Sequence, residues 1–205
     1  MTVVFSNQFV VKAKLADLLP TQVTVGYAEV KQKREEWKLL SKKQRQSVLD
    51  QHWFPTVLGP KRRYYVLDHH HLGMALLEEQ QKTVHLTVLK DLSWLEPDTF
   101  WHVMEFHQWA HPFDETGKRV DFRRIPRTIS GLKNDHYRSL AGLARRAGAF
   151  AKEVTPFSEF LWSDYFRTRI DKRQIAKSME AALVLACELA KRPEASYLPG
   201  WVGKL

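Results

Sequence analysis

The sequence predicts an α/β fold of the α+β kind: a small mixed-sheet unit over residues 1–95 and an all-helical extension over residues 96–205. Three observations predict it. In the first half, short runs rich in β-branched and aromatic residues alternate with helix-forming stretches, the pattern of a mixed α/β layer. In the second half the strand signals stop and helical periods take over. Near residue 68, where a strand-like run gives way to a helix-like one, four polar residues stand together, Asp68-His69-His70-His71. Such junctions are where open α/β sheets place their ligands.

Phe9-Val10-Val11 opens as a short strand, and Ala16 to Pro20 reads as a helical turn stopped by proline, which has no amide hydrogen to continue it. Tyr27 to Leu40, after Gly26, is a helix rich in Lys, Glu and Arg. Ser41-Lys42-Lys43-Gln44 has capping-box spacing, so a fresh helix starts there and runs to about His52. Phe54 to Leu58 is a strand, Gly59-Pro60-Lys61 turns the chain, and Tyr64 to Leu67 returns as a second strand. Leu72 to Gln80 is the helix after the polar turn, and Val84 to Leu89 alternates as a further strand. Pro97 to Trp109 is helical, and residues 110–131 form a long basic irregular segment, of a length that marks a lid, linker or binding loop. Helices come next over His136 to Ala147, Pro156 to Thr168 and Lys172 to Lys191, the second placed by a proline suited to a first helical turn. No internal repeat or low-complexity tract is present.

At 205 residues, with 44% hydrophobic and 12% aromatic side chains, the chain can bury a substantial core. No run approaches the ~18 consecutive apolar residues of a membrane span. Met1 to Pro20 carries Lys12, Lys14 and Asp17 where a signal peptide needs an unbroken apolar stretch, so a cytoplasmic protein with no membrane partner is expected. The single Cys187 excludes an intramolecular disulfide and a cysteine-rich zinc site. Net charge is +9, and from Lys118 to Lys152 ten basic residues stand against two acidic ones. That concentration suits a phosphate-bearing partner, small nucleotide or nucleic acid, although a solvated basic face has the same composition.

The Asp68–His71 turn places three imidazoles, able to move protons near neutral pH, and one carboxylate at the start of a helix. The first amides of that helix and its positive dipole end attract an anion. Neighbouring side chains in an extended turn point apart, so a three-histidine metal site is not expected; Asp68 with one or two of the histidines remains a divalent-ion site. Magnesium bridging to phosphate would take mainly oxygen ligands. His107 and His111 have the spacing of a helical metal pair, but Pro112 pushes His111 out of helical geometry. Glu29 and Lys33, four apart on one helix, can pair as surface residues. Arg138 to Gly148 has the outline of the first helix and turn of a helix-turn-helix, but the aromatic helix after it does not read as a recognition helix.

Tyr64-Tyr65-Val66-Leu67-Asp68-His69-His70-His71-Leu72-Gly73-Met74-Ala75-Leu76, followed by Val84 to Leu89, is similar to the signature of the ParB and sulfiredoxin superfamily. Leu18-Leu19-Pro20-Thr21-Gln22, with Val25-Gly26 and Glu29-Val30, resembles its other block. With Asp135-His136-Tyr137-Arg138-Ser139-Leu140-Ala141 and Glu159-Phe160-Leu161-Trp162, the chain most resembles the putative ParB-like nuclease family within it. The resemblance implies a nucleotide or phosphate pocket at the polar turn, with ATP, ADP or CTP and magnesium as ligands, and phosphoryl transfer in one branch. It implies Asp68 as a base or metal-orienting carboxylate, His70 and His71 on phosphate, and Glu29 as a second acid. His69, Lys33, Arg138 and Ser139 are expected as further ligand-binding residues.

The sequence departs from the pattern at two positions. His69 stands where the turn usually has Gly, and Leu72 where Arg commonly grips phosphate; Leu cannot replace that bidentate contact. Arg138 or a residue of the Arg123 to Arg127 segment is expected to supply the charge instead. His70 stands at the cysteine of the sulfiredoxin branch, which argues against sulfinic acid repair. The expected function is therefore phosphate or nucleotide binding at the Asp68–His71 turn, with phosphoryl transfer as its chemistry. The alternatives are a basic nucleic-acid-binding protein or ParB-like nuclease, and a ligand-binding scaffold without catalysis.

Overall fold

The structure, a computed structural model, describes residues 9–204; residues 1–8 of the stretch scanned for a signal peptide lie outside it. In chain order, strands β1 (Phe9–Lys14), β2 (Leu19–Pro20) and β3 (Thr24–Val25) precede helices α1 (Tyr27–Leu39) and α2 (Lys42–Gln51). Strands β4 (Phe54–Gly59) and β5 (Arg63–Val66), helix α3 (His70–Glu78), strand β6 (Thr83–Asp91) and helix α4 (Pro97–Phe106) come next. Strand β7 (Lys133–Asn134) and helices α5 (His136–Arg146), α6 (Ser158–Arg167), α7 (Lys172–Lys177) and α8 (Met179–Ala190) complete the α+β fold. By their contacts the residues form two compact units. The first holds the described residues up to Val23, with Val30–Phe113 and Arg119–Leu132; the second holds Thr24–Glu29, Asp114–Lys118 and the described residues from Lys133. Helix α4 and most of the irregular segment 110–131 thus fall in the first unit. No described helix is long and apolar enough to cross a membrane.

The first unit carries a five-stranded mixed sheet in the order β1-β6-β4-β5-β2. Strands β1 and β6, and β4 and β5, pair antiparallel, whereas β4 with β6 and β2 with β5 run parallel. Pro20 is not the stop of a helical turn. The helical turn is a short 3-10 segment at Leu15–Asp17, after which Leu19 and Pro20 extend to pair with Tyr65 and Val66. As β2 is an edge strand, proline's missing amide costs the sheet no ladder bond it needs. The predicted capping box is present: Ser41 Oγ accepts from the Gln44 amide, and Gln44 Oε1 accepts from the Ser41 amide at 2.9 Å. Helix α4 packs Phe100 and Met104 with Val57 and Tyr65 in a core completed by Leu92 and Ala110. It ends at Phe106 rather than Trp109. Gln108 takes φ 55°, and the Trp109 amide folds back to the Met104 carbonyl in a Schellman-type end.

In the second unit, α5, α6, α7 and α8 enclose Trp162, Tyr165 and Phe166, with the alanines Ala141, Ala144 and Ala186 permitting close helix contact. Phe150 stacks on Trp162 at 4.1 Å. The expected single helix Lys172 to Lys191 is two, because Ser178 is extended (φ −157°, ψ 108°) and its hydroxyl caps α8 by accepting from the Ala181 amide. Helix α6 begins at Ser158, not Pro156, since Phe157 precedes it in the left-handed region (φ 60°). Strands β3 and β7 pair in parallel, and Gly26 then brings backbone against backbone: a Cβ there would lie 2.7 Å from Ser139 N.

Tyr137 and Tyr165 donate to the carbonyls of Ile170 and Leu189 at 2.7 and 3.0 Å, and burial raises both phenol pKa values. A folded-state pKa above the unfolded value of about 10 contributes stability that is complete below that pH and is lost as pH rises through the folded value. The urea midpoint is therefore expected to fall above about pH 10, and the double variant Tyr137→Phe, Tyr165→Phe to flatten that fall. An equally steep alkaline loss in the double variant contradicts the assignment.

Candidate functional site

The polar turn is shorter than its sequence suggests, because α3 starts at His70, two residues before Leu72. His69 takes φ 66° and turns the chain, and the Gly73 amide donates to the His69 carbonyl at 2.7 Å, closing the first helical turn. A non-glycine residue in this region is uncommon, and histidine is among those that tolerate it. Its ring meets Phe54 edge-on at 5.6 Å, with His52 at 6.2 Å. Asp68 is exposed, and its Oδ1 accepts from the His69 amide at 2.6 Å.

His70 is 4% exposed and accepts at Nε2 from the Thr21 amide at 3.2 Å. An Nε2 that accepts carries no proton, so the ring is in the form with hydrogen on Nδ1. Thr21 is held on two further sides: its hydroxyl donates to the Val66 carbonyl at 2.8 Å, and its carbonyl accepts from the His111 amide at 2.8 Å. The ends of β2 and β5, the start of α3 and the His111 segment therefore share one residue. His111 bridges in parallel to Gln22 instead of joining His107, as its proline neighbour predicts. At the amino end of α3, the amides of His70, His71 and Leu72 precede the first intrahelical bond, where helix donors and dipole favour negative charge. Among the described residues, no three His, Cys, Asp or Glu side chains form a group that could hold a metal. Asp68 is the one carboxylate of the turn.

Lys33 lies half-buried on the part of α1 that belongs to the first unit. Glu29, Arg138 and Ser139 belong to the second. Glu29 is 9% exposed, not a surface residue, with Oε1 3.5 Å from Arg146 Nη2. Ser139 Oγ accepts from the Ala28 amide at 3.2 Å and Asn134 Oδ1 from the Tyr27 amide at 3.0 Å, so two side chains cap the start of α1. Arg138, 5% exposed, donates to Glu159 at 3.1 Å and lies 4.1 Å above the Phe160 ring. The other Glu159 oxygen lies 2.6 Å from Arg145 Nε, which ties α5 to α6. Asp135, 1% exposed, caps α5 through the Tyr137 amide and pairs with Arg167 at 2.7 Å. The residues that sequence reasoning left without a role are Thr21, Asn134, Asp135, Glu159 and Arg167. Thr21, Asp135 and Glu159 stand inside the blocks that carry the family resemblance, and Asp135, directly before a helix, also has the position of an N-cap.

The sequence pattern of the putative ParB-like nuclease family matches residues 11–168, and the chain belongs to that family. The match takes in both units and stops short of α7 and α8. Among solved structures, the chain is similar to the crystal structure of protein Atu1540 from Agrobacterium tumefaciens, with 41% identity and a TM-score of 0.89 over 96% of this chain and 100% of that one. No curated protein matches.

His70→Ala leaves the buried Thr21 amide without its acceptor, a loss expected to cost about 1–3 kcal/mol. Urea unfolding measures it. A His70→Ala variant as stable as the parent would contradict the role given to this bond, and His70→Gln, which retains an acceptor oxygen, should recover part of the loss.

Proposed function

We propose that the protein binds a nucleotide, ATP, ADP or CTP, through its phosphates at the amino end of α3, and that phosphoryl transfer from it is the chemistry these residues fit. The observation that carries the reading is the fixed start of that helix. His70 is buried and oriented by the Thr21 amide, so the backbone donors beside it are held in place before any ligand arrives. Preorganised donors of this kind stabilise charge at little cost in reorganisation. Membership of the ParB-like nuclease family supports a nucleic-acid-related function at the level of the family, whose partners share the phosphate chemistry.

Phosphoryl transfer needs donors around the moving group and a base for the acceptor hydroxyl. The α3 amides and the His71 imidazole serve as donors, and His70, buried with its Nε2 on the Thr21 amide, orients them. Asp68, exposed and with Oδ1 held by the His69 amide, takes the acceptor proton on Oδ2. One carboxylate is enough for a magnesium ion that arrives on the ligand's phosphates, since magnesium keeps most of its shell in water and phosphate oxygen. Bound there, it would add charge neutralisation. Leu72 contributes no charge to the site, which makes the imidazole of His71 the more important.

Calorimetry with ATP, ADP and CTP, each with and without magnesium, is expected to show binding that His71→Ala weakens at least about tenfold, the worth of one hydrogen bond to a charged group. Absence of binding by all three nucleotides under both conditions overturns the proposal.

A second reading, nucleic-acid binding of the sort the family's description names, is favoured by a different observation. Arg123, Arg124 and Arg127 lie exposed on the irregular segment of the first unit, Arg123 in a solvent-exposed pair with Asp121 at 3.5 Å. Phosphate backbones are the natural partner of such a row. For the cleavage step itself the described residues offer no dense carboxylate cluster of the kind a two-metal nuclease uses.

A further inference from the structure

Helix α4 borders an open groove of about 600 Å³ in the first unit, and its lining includes Lys90, Trp94, Leu95, His102, Phe106 and His107 but no carboxylate. Trp94 is 77% exposed and Phe106 83% exposed. Two large aromatic side chains left in water at one groove mark a binding surface more often than a packing defect. The His107 ring is held in place, stacked by one face on Trp109 at 4.4 Å and 22° and in edge contact with Phe106 at 5.3 Å. His102 leads to the groove's basic flank. Its ring lies 6.3 Å from Phe122, which carries the Arg119 guanidinium 5.4 Å above its ring. The turn at Phe122–Arg124 also bears Arg123 and Arg124, both exposed, with Asp121 Oδ1 3.5 Å from Arg123 Nε in an exposed pair that a phosphate can displace. Glu105, an acid on α4, is already paired with Arg119 at 2.8 Å.

We propose that this groove binds single-stranded nucleic acid, with bases stacked on Trp94, Phe106 and His107 and phosphates on Lys90, Arg123 and Arg124. The inference rests on the nucleic-acid reading and makes it specific. Aromatic faces accept any unpaired base, and a basic flank tracks the backbone. A duplex keeps its base faces inside its own stack, so it can use the flank and not the floor. A second copy of the chain is the poorer occupant, since a two-fold contact over this groove would set one cationic flank against its equivalent.

The test uses the full chain, fluorescence anisotropy and an oligothymidine of about 12 nucleotides beside a duplex of equal length. The single strand is expected to bind more tightly, to quench tryptophan fluorescence, and to lose affinity as salt rises because phosphate contacts release counterions. Trp94→Ala and Phe106→Ala, both at exposed positions and so compatible with folding, should each weaken it about tenfold and leave duplex affinity unchanged. Equal affinity for both nucleic acids, or single-strand affinity untouched by both substitutions, sinks the groove while leaving the nucleic-acid reading standing. Failure to bind any nucleic acid at low salt removes both. Self-association abolished by Trp94→Ala, in place of oligonucleotide binding, assigns the groove to a second copy and also overturns the proposal.

Discussion

The first unit depends on one small residue. Thr21 donates its amide to His70, donates its hydroxyl to Val66 and accepts from the His111 amide, so all three of its polar groups are used by three different parts of the chain. Buried polar groups are costly unless paired, and here each pairing also sets a position. The carboxyl end of β5 is held beside the end of β2, and the His70 ring at the start of α3 is tied to both. The consequence is chemical: the helix presents its first amides at a fixed place, with Asp68 and the histidines around it.

The second unit sets ion pairs around its aromatic core. Arg138 and Arg145 converge on Glu159, Arg146 lies on Glu29, and Arg167 holds Asp135, most of them partly or fully withdrawn from water. Removing one member of such a pair leaves the other charge buried and unpaired, which is strongly destabilising. Arg167 also lies 4.7 Å over the Tyr137 ring and donates to the Glu115 carbonyl, binding the Asp114–Lys118 segment to the helices.

Where structure obeys local chemistry, it was legible in the chain. The Ser41–Gln44 box, the helix after Gly26, the β4–β5 pair around Gly59-Pro60 and the polar turn at Asp68 all depend on neighbours within a few residues. Features set by distant partners were not. Thr21 and His70 are 49 residues apart, and Leu19 and Pro20 are extended only because Tyr65 and Val66 pair with them. Charge misled for the same reason. The basic stretch from Lys118 to Lys152 looks uncompensated in sequence, yet Glu29, Glu105 and Glu159, all outside it, pair with four of its arginines. On the Arg123 turn, Arg123 pairs with Asp121 at 3.5 Å from within the stretch, and Arg124 and Arg127 lie exposed beside it.

Phosphate binding at the amino end of α3 makes a specific demand on the amides there. Amide proton and nitrogen chemical shifts, tracked by NMR as nucleotide is added, test it most directly. If phosphates bind there, the amides of His70, His71 and Leu72 are expected to move first and furthest. Saturable shifts confined to other segments, with those three amides unmoved, would contradict it.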